Sequence, residues 1–151
     1  MKNEDMLSFV EVANAGEVLD LLRKFDPVFP HMKEKVSDYE TFAEKIVDHA
    51  VVCVARTGAQ TCGMVVFYAN DFAEKVAYIS LLGLLPEWQG RRLGCQLLNY
   101  CCEYAREKGM IAIRLEVDLD NSHAITFYEK NGFIPYGEKM LSSIYMEKML
   151  I

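Results

Sequence analysis

The chain has no Cys-x-x-Cys pair, no Gly-x-Gly-x-x-Gly and no glycine-rich stretch ending in Gly-Lys-Ser/Thr. Its five cysteines, Cys53, Cys62, Cys95, Cys101 and Cys102, are odd in number. Together with the missing pair, this argues against a disulfide framework or a zinc site and for buried, reduced thiols. The other two absences remove the dinucleotide fingerprint and the Walker phosphate loop. No apolar run reaches the roughly 20 residues needed to cross a bilayer. Met1-Lys2-Asn3-Glu4-Asp5 is too polar to open a signal peptide, so a cytoplasmic chain without a membrane partner is expected. Positive charge is also scarce. Sixteen Lys and Arg against 22 Asp and Glu leave a net charge of −6, which argues against a general nucleic-acid role. An acidic chain still binds an anion through a local basic corner, and its remaining surface favours a cationic partner.

A length of 151 residues fits one domain, here residues 1–151, with room for a core. Leu7 to Ala13 reads as a strand. Glu17 to Phe25 reads as a helix with Val18, Leu21, Leu22 and Phe25 on one side. Asp26-Pro27-Val28-Phe29-Pro30-His31 reads as a stiff, non-helical loop because of its two prolines. Asp38 is placed to cap a helix through Val47. Ala50 to Arg56 and Thr61 to Ala69 form an expected hairpin around Thr57-Gly58-Ala59-Gln60. Val76 to Leu85 is a strand, Gln89 to Lys108 a long helix stopped by Gly109, and Ile111 to Leu119 an alternating strand. Asn121 to Lys130 is a helix. Phe133 to Lys139 and Ile144 to Met149 are strands, the last apolar enough to suit a homodimer. Strand, crossover helix and strand from Val76 to Leu119 make a parallel pair. With antiparallel hairpins beside it, the chain is an α/β domain with a mixed sheet.

The densest signal is Leu84-Leu85-Pro86-Glu87-Trp88-Gln89-Gly90-Arg91-Arg92-Leu93-Gly94, a strand that turns into a helix. Gly90 and Gly94 let backbone approach a ligand, and Arg91 and Arg92 add charge where a helix start already exposes N–H groups. A phosphate-bearing ligand would meet all three features together.

Gln89-Gly90-Arg91-Arg92-Leu93-Gly94 resembles motif A of the GNAT superfamily of N-acetyltransferases, usually Gln/Arg-x-x-Gly-x-Gly/Ala. Arg92 stands where that family most often has glycine; an arginine takes helical dihedrals there, and either crowds the pyrophosphate or helps neutralise it. Asn121-Ser122-His123-Ala124-Ile125-Thr126-Phe127-Tyr128-Glu129-Lys130-Asn131-Gly132-Phe133 is similar to the family's helix ending in Phe-Tyr-x-x-x-Gly-Phe. The two segments occur in the family's order. The resemblance implies a GNAT-like fold, with a mixed, mainly antiparallel sheet and a central parallel strand pair flanked by helices.

It also implies acetyl-CoA as donor and direct transfer to a primary amine of a small molecule, with no metal. A protein N-terminus or lysine as acceptor, or a non-catalytic acyl-CoA-binding module, are the competing readings. The loop Gln89, Gly90, Arg91, Arg92, Leu93 and Gly94 would hold the pyrophosphate. A splayed or bulged strand before it would offer the Leu84 backbone to the pantetheine arm and the Leu82 N–H to the thioester carbonyl. Asn121, Phe127 and Tyr128 complete the cofactor set. Tyr128 is the candidate acid for the leaving thiolate, since a phenol of reference pKa about 10 can donate to it. The position at which parts of the family carry a carboxylate base is Tyr78, with Ser80 on the same face, and neither is a strong base. Glu116, on the neighbouring strand, is the candidate base through water. Phe29, His31, Tyr39, Tyr68, Asn70, Tyr78 and Ser80 are the candidate acceptor-site residues. Tyr68 and Asn70 are in phase for one strand face.

Overall fold

The structure, a computed structural model, describes residues 7–151. The polar segment from Met1 to Asp5 lies outside the described residues. Seven strands, β1 (Leu7–Glu11), β2 (Val51–Thr57), β3 (Gln60–Tyr68), β4 (Val76–Leu84), β5 (Ala112–Asp118), β6 (Ile134–Tyr136) and β7 (Ser143–Met149), form one sheet in the order β1-β2-β3-β4-β5-β7-β6. The helices are α1 (Ala15–Lys24), α2 (Met32–Lys35), α3 (Tyr39–His49), α4 (Leu93–Glu107) and α5 (Ser122–Lys130). β4 and β5 are parallel, and the β1–β2, β2–β3, β5–β7 and β6–β7 ladders are antiparallel. This is the mixed sheet with one parallel pair expected from the sequence. Two compact units share the chain: Met1–Phe67 with Leu81–Cys101, and Tyr68–Ser80 with Cys102–Ile151.

The first unit is built on amphipathic helices. Asn14 caps α1 by accepting from the Glu17 N–H at 3.0 Å, and Val18, Leu22 and Phe25 repeat on one face. Asp38 caps α3 as expected, and Ala43 and Ile46 are that helix's buried residues. These side chains pack with Val12, Met32, Val52, Val54, Met64, Val66 and Leu85. Phe25, Leu22 and Ile46 are fully buried, each worth about 1.5–3 kcal/mol over exposure. The hairpin turn is tighter than expected: Thr57 pairs with Gln60, leaving Gly58 (φ 62°) and Ala59 at the corner.

The segment after α1 departs from expectation. Asp26–Val28 is a 3-10 turn and α2 follows, so the two prolines do not keep it non-helical. Pro27 sits in the first turn, where a missing N–H costs nothing. The segment is pinned from two sides. The Tyr39 hydroxyl donates to Asp26 Oδ1 at 2.5 Å, with Lys33 Nζ 3.3 Å from Oδ2. Val28 and Phe29 lie against β4 at Gly83, where a methyl group would sit 2.7 Å from Val28 Cγ1 and 2.9 Å from the Phe29 ring.

The second unit holds the β5–β7–β6 ladder. Ile113, Leu115 and Val117 are buried on one face of β5, while Arg114, Glu116 and Asp118 alternate on the other. β6 is shorter than the expected strand from Phe133 to Lys139, and Gly137 follows it with φ 73°. The C-terminal part of α4 and all of α5 lie in this unit, and each helix ends before a left-handed glycine, Gly109 (φ 90°) and Gly132 (φ 94°). Around Gly132, Phe133 N–H reaches the Tyr128 carbonyl and Gly132 N–H the Glu129 carbonyl, while the Tyr128 and Phe133 rings meet 5.4 Å apart. This is a Schellman cap with its usual apolar contact. Met110 and Gly109 repeat the same two bonds onto Ala105 and Arg106.

Gly83→Ala should destabilise the protein by about 1–3 kcal/mol through overpacking, read from the denaturant midpoint. An unchanged midpoint would mean that the segment at Val28 and Phe29 yields freely. The Tyr39 hydrogen bond is the main cause holding the Asp26 carboxyl below the ordinary 3.8. Burial first, then Asp26, pushes the Tyr39 phenol up to about 12. The depressed Asp26 value contributes stability above pH 3.8 that is lost as pH falls through the folded value. The raised Tyr39 value contributes stability below pH 10 that is lost as pH rises towards 12. Thermal melts of wild type and Tyr39→Phe should therefore differ by a constant amount between pH 5 and pH 9 and converge in acid. A gap that persists undiminished at pH 2 would exclude this bond as its source.

Candidate active site

In the first unit, β4 ends at Leu84 and the chain turns before α4. Leu85 N–H is taken by the Cys62 carbonyl at 2.9 Å, and Pro86–Trp88 form a 3-10 turn. The long helix therefore starts at Leu93 rather than Gln89. Its first helical bond runs from Gln96 N–H to the Arg92 carbonyl. By helix geometry the N–H groups of Leu93, Gly94 and Cys95 have no carbonyl within α4, and the helix dipole concentrates positive potential beside them. Gly94 is buried and Cys95 exposed, so the expectation of uniformly buried thiols fails at Cys95.

The approach to that helix start is left-handed twice. Gly90 has φ 79° with open space around it, and Arg92 has φ 65°. Helical dihedrals were the expectation for Arg92, and the turn imposes the opposite. The position where the resembling family usually has glycine keeps a glycine's backbone here while carrying an arginine. That conformation costs an L-residue about 1–2 kcal/mol. Both arginines are exposed, and the Arg91 guanidinium stacks over the Trp88 ring at 4.8 Å. The corner thus offers three helix-start amides, two guanidinium groups and a glycine with room beside it, which suits a phosphate or pyrophosphate.

Leu82 and Leu84 are half-buried on β4. The Leu84 side chain fills the space beside Gly63, where a Cβ would meet its Cδ2 at 2.5 Å. The β4–β5 ladder pairs only Val76, Ala77 and Tyr78 with Ala112, Ile113 and Arg114.

In the second unit, Tyr78 is half-buried and Ser80 exposed. Burial pushes the Tyr78 phenol up to about 12, and the charges of Glu116 and Tyr145 add to the rise. Glu116 accepts from the buried Ser143 hydroxyl at 2.5 Å and stands opposite Tyr145 on β7. Arg114 does not add free positive charge to this face. Its Nε is 2.7 Å from Glu147 Oε2, and its guanidinium lies 3.9 Å from the Tyr136 ring centre. Tyr128, on α5, is buried between Phe127 and Phe133, with ring centres 5.2 and 5.4 Å away. Asn121 caps α5, accepting from Ala124 N–H at 3.1 Å.

The remaining candidates divide. Phe29 and Tyr39 belong to the pinned segment of the first unit, with exposed His31 and its Nδ1 2.6 Å from Glu34 Oε2. Tyr68 is half-buried and its phenol raised by burial. It is the last residue of β3, so Asn70 lies beyond the strand and the two do not share a strand face. Sequence reasoning missed Gly83, Ser143 and Tyr145. A glycine inside an apolar strand signals close backbone approach and pointed to the first. The other two emerge only from the β5–β7 register.

Residues 17–133 match the model of the Acetyltransferase (GNAT) family. The chain is 32% identical over 59 residues to N-alpha-acetyltransferase 30 of Schizosaccharomyces pombe, covering 39% of each chain. It is 38% identical over 60 residues to mycothiol acetyltransferase of Nocardiopsis dassonvillei, covering 40% of this chain and 18% of that one. The matched segments thus span well under half the length of these curated relatives. The fold is similar to that of PaiA N-acetyltransferase from Thermoplasma acidophilum, solved with coenzyme A, at a TM-score of 0.75 and 19% identity over 95% of this chain and 99% of that one. Among the described residues, no helix is long and apolar enough to cross a membrane. The family match runs through both sequence motifs and most of the chain, and the chain belongs to the GNAT family of acetyltransferases.

Proposed function

We propose that the protein transfers an acetyl group from acetyl-CoA to a primary amine of a small molecule. The observation that carries this reading is the start of α4, where three first-turn helix amides, left-handed Gly90 and two exposed arginines meet at one corner of a GNAT chain. Acetyl-CoA supplies the acetyl group as a thioester. The loop from Gln89 to Gly94 holds its phosphates, and the Leu84 backbone aligns the arm. The Leu82 N–H donates to the carbonyl oxygen as charge gathers there. Tyr128 protonates the departing sulfur. Glu116, held by Ser143, takes the amine proton through water.

The pinned segment from Phe25 to Tyr39 supports a small acceptor over a peptide, because a segment tied at Asp26 and at Gly83 does not move aside cheaply. Acetylation of a protein amine is the second reading, favoured by the likeness to N-alpha-acetyltransferase 30. An amine library and a peptide set incubated with acetyl-CoA, read by thiol release, separate the two. Turnover with peptides alone would overturn the small-molecule reading.

Arg92→Gly separates strain from charge. Relief of the left-handed arginine should raise the melting temperature by about 2–4 °C, corresponding to about 1 kcal/mol. Loss of the guanidinium should weaken acetyl-CoA binding most at low salt, where charge is least screened. Stability and affinity moving together would contradict this assignment.

Tyr128→Phe keeps the ring between Phe127 and Phe133 and removes one hydroxyl. The turnover number should fall roughly 10²-fold with little change in acetyl-CoA affinity. The loss should shrink for a thioester whose thiol is more acidic. Normal turnover with a raised Michaelis constant would make Tyr128 a packing or binding residue.

A further inference from the structure

The motif places Gln89 among the residues that hold the cofactor, but its side chain is engaged inside the protein. Gln89 Nε2 donates to the Leu84 carbonyl at 3.0 Å. That bond closes a ring around the 3-10 turn, in which Trp88 N–H reaches the Leu85 carbonyl and Gln89's own N–H the Pro86 carbonyl. The last carbonyl of β4 and the first residue of the phosphate loop are thus tied by a side chain as well as by the main chain.

We propose that Gln89 is a positioning residue for the pantetheine arm, acting through the Leu84 carbonyl and not through the phosphates. The inference rests on the acetyl-CoA reading above. A carbonyl oxygen has two lone pairs, so the Gln89 amide can hold one while an amide of the arm takes the other. With one lone pair held, the second has a fixed direction at the point where the arm leaves the phosphate loop. The peptide that carries this carbonyl is anchored at its N–H by the Cys62 carbonyl and at its oxygen by Gln89, and loss of the second anchor lets the oxygen tilt away from the arm. The Gln89 amide spent on Leu84 is also not available to a phosphate.

The test compares two ligands on the whole protein. CoA carries both phosphates of the bridge and the arm. Adenosine 3′-phosphate 5′-diphosphate keeps the phosphates and lacks the arm. Trp88, the single tryptophan of the chain, lies within the tied ring and reports binding by its fluorescence. Gln89→Met keeps the length and removes the donor. It should weaken CoA about fivefold, the size of one hydrogen bond, and leave the nucleotide diphosphate unchanged. Gln89→Arg restores a donor and should restore the ratio of the two affinities, even if its charge tightens both. Equal losses for the two ligands in Gln89→Met would place Gln89 on the phosphates and overturn the proposal, as would unchanged CoA binding. Failure of the wild-type protein to bind either ligand would overturn the acetyl-CoA reading first.

Discussion

An α-helix cannot satisfy the amides of its own first turn, and the candidate active site is organised around that deficit at the start of α4. The amides of Leu93, Gly94 and Cys95 gain their direction from the chain before them. That chain must leave a strand, reverse and enter the helix within eight residues, Leu85 to Arg92. It does so with a 3-10 turn, a side-chain tie from Gln89 back to Leu84 and two left-handed residues. The left-handed residues next to the helix set the direction of its first amides, and the Gln89 tie sets that of the Leu84 carbonyl. A left-handed arginine is tolerable in such a turn because the backbone on both sides is fixed by hydrogen bonds.

The chemistry expected beyond that corner draws on groups whose environments differ. A phenol is neutral at ordinary pH, and burial and the neighbouring Glu116 charge raise that of Tyr78 further, so it stands as a hydrogen-bond donor and not a base. Glu116 is exposed, with one carboxylate oxygen committed to Ser143. The two side chains thus suit different tasks although they stand on adjacent strands.

Much of the fold was legible because its signals are periodic or local. Val18, Leu22 and Phe25 announce α1, and the alternation from Ile111 to Leu119 announces β5. The pattern Phe-Tyr-x-x-x-Gly-Phe has a physical meaning here: the glycine takes the left-handed position that lets Phe133 fold back on Tyr128. What stayed hidden depends on neighbours distant in sequence or on conformations that side-chain identity argues against. Nothing in an arginine signals φ 65°. Two prolines read as helix breakers, yet Pro27 initiates a 3-10 turn. Ser143 meets Glu116 across 27 positions of sequence, a separation that no local pattern spans.

The division of the chain bears on its synthesis. The first unit takes Leu81, Leu85 and Trp88 into its core, so its first 67 residues cannot finish packing when they leave the ribosome. They must wait for β4 and the first half of α4. The second unit waits longer. Leu150 donates to the Ile111 carbonyl and accepts from Arg106, and β7 supplies the partner for all of β5. Until that strand has been made, β5 exposes an unpaired apolar edge, the kind of surface that chaperones bind. The turn before α4 thus has all of its hydrogen-bond partners in the chain earlier than β5 has its own.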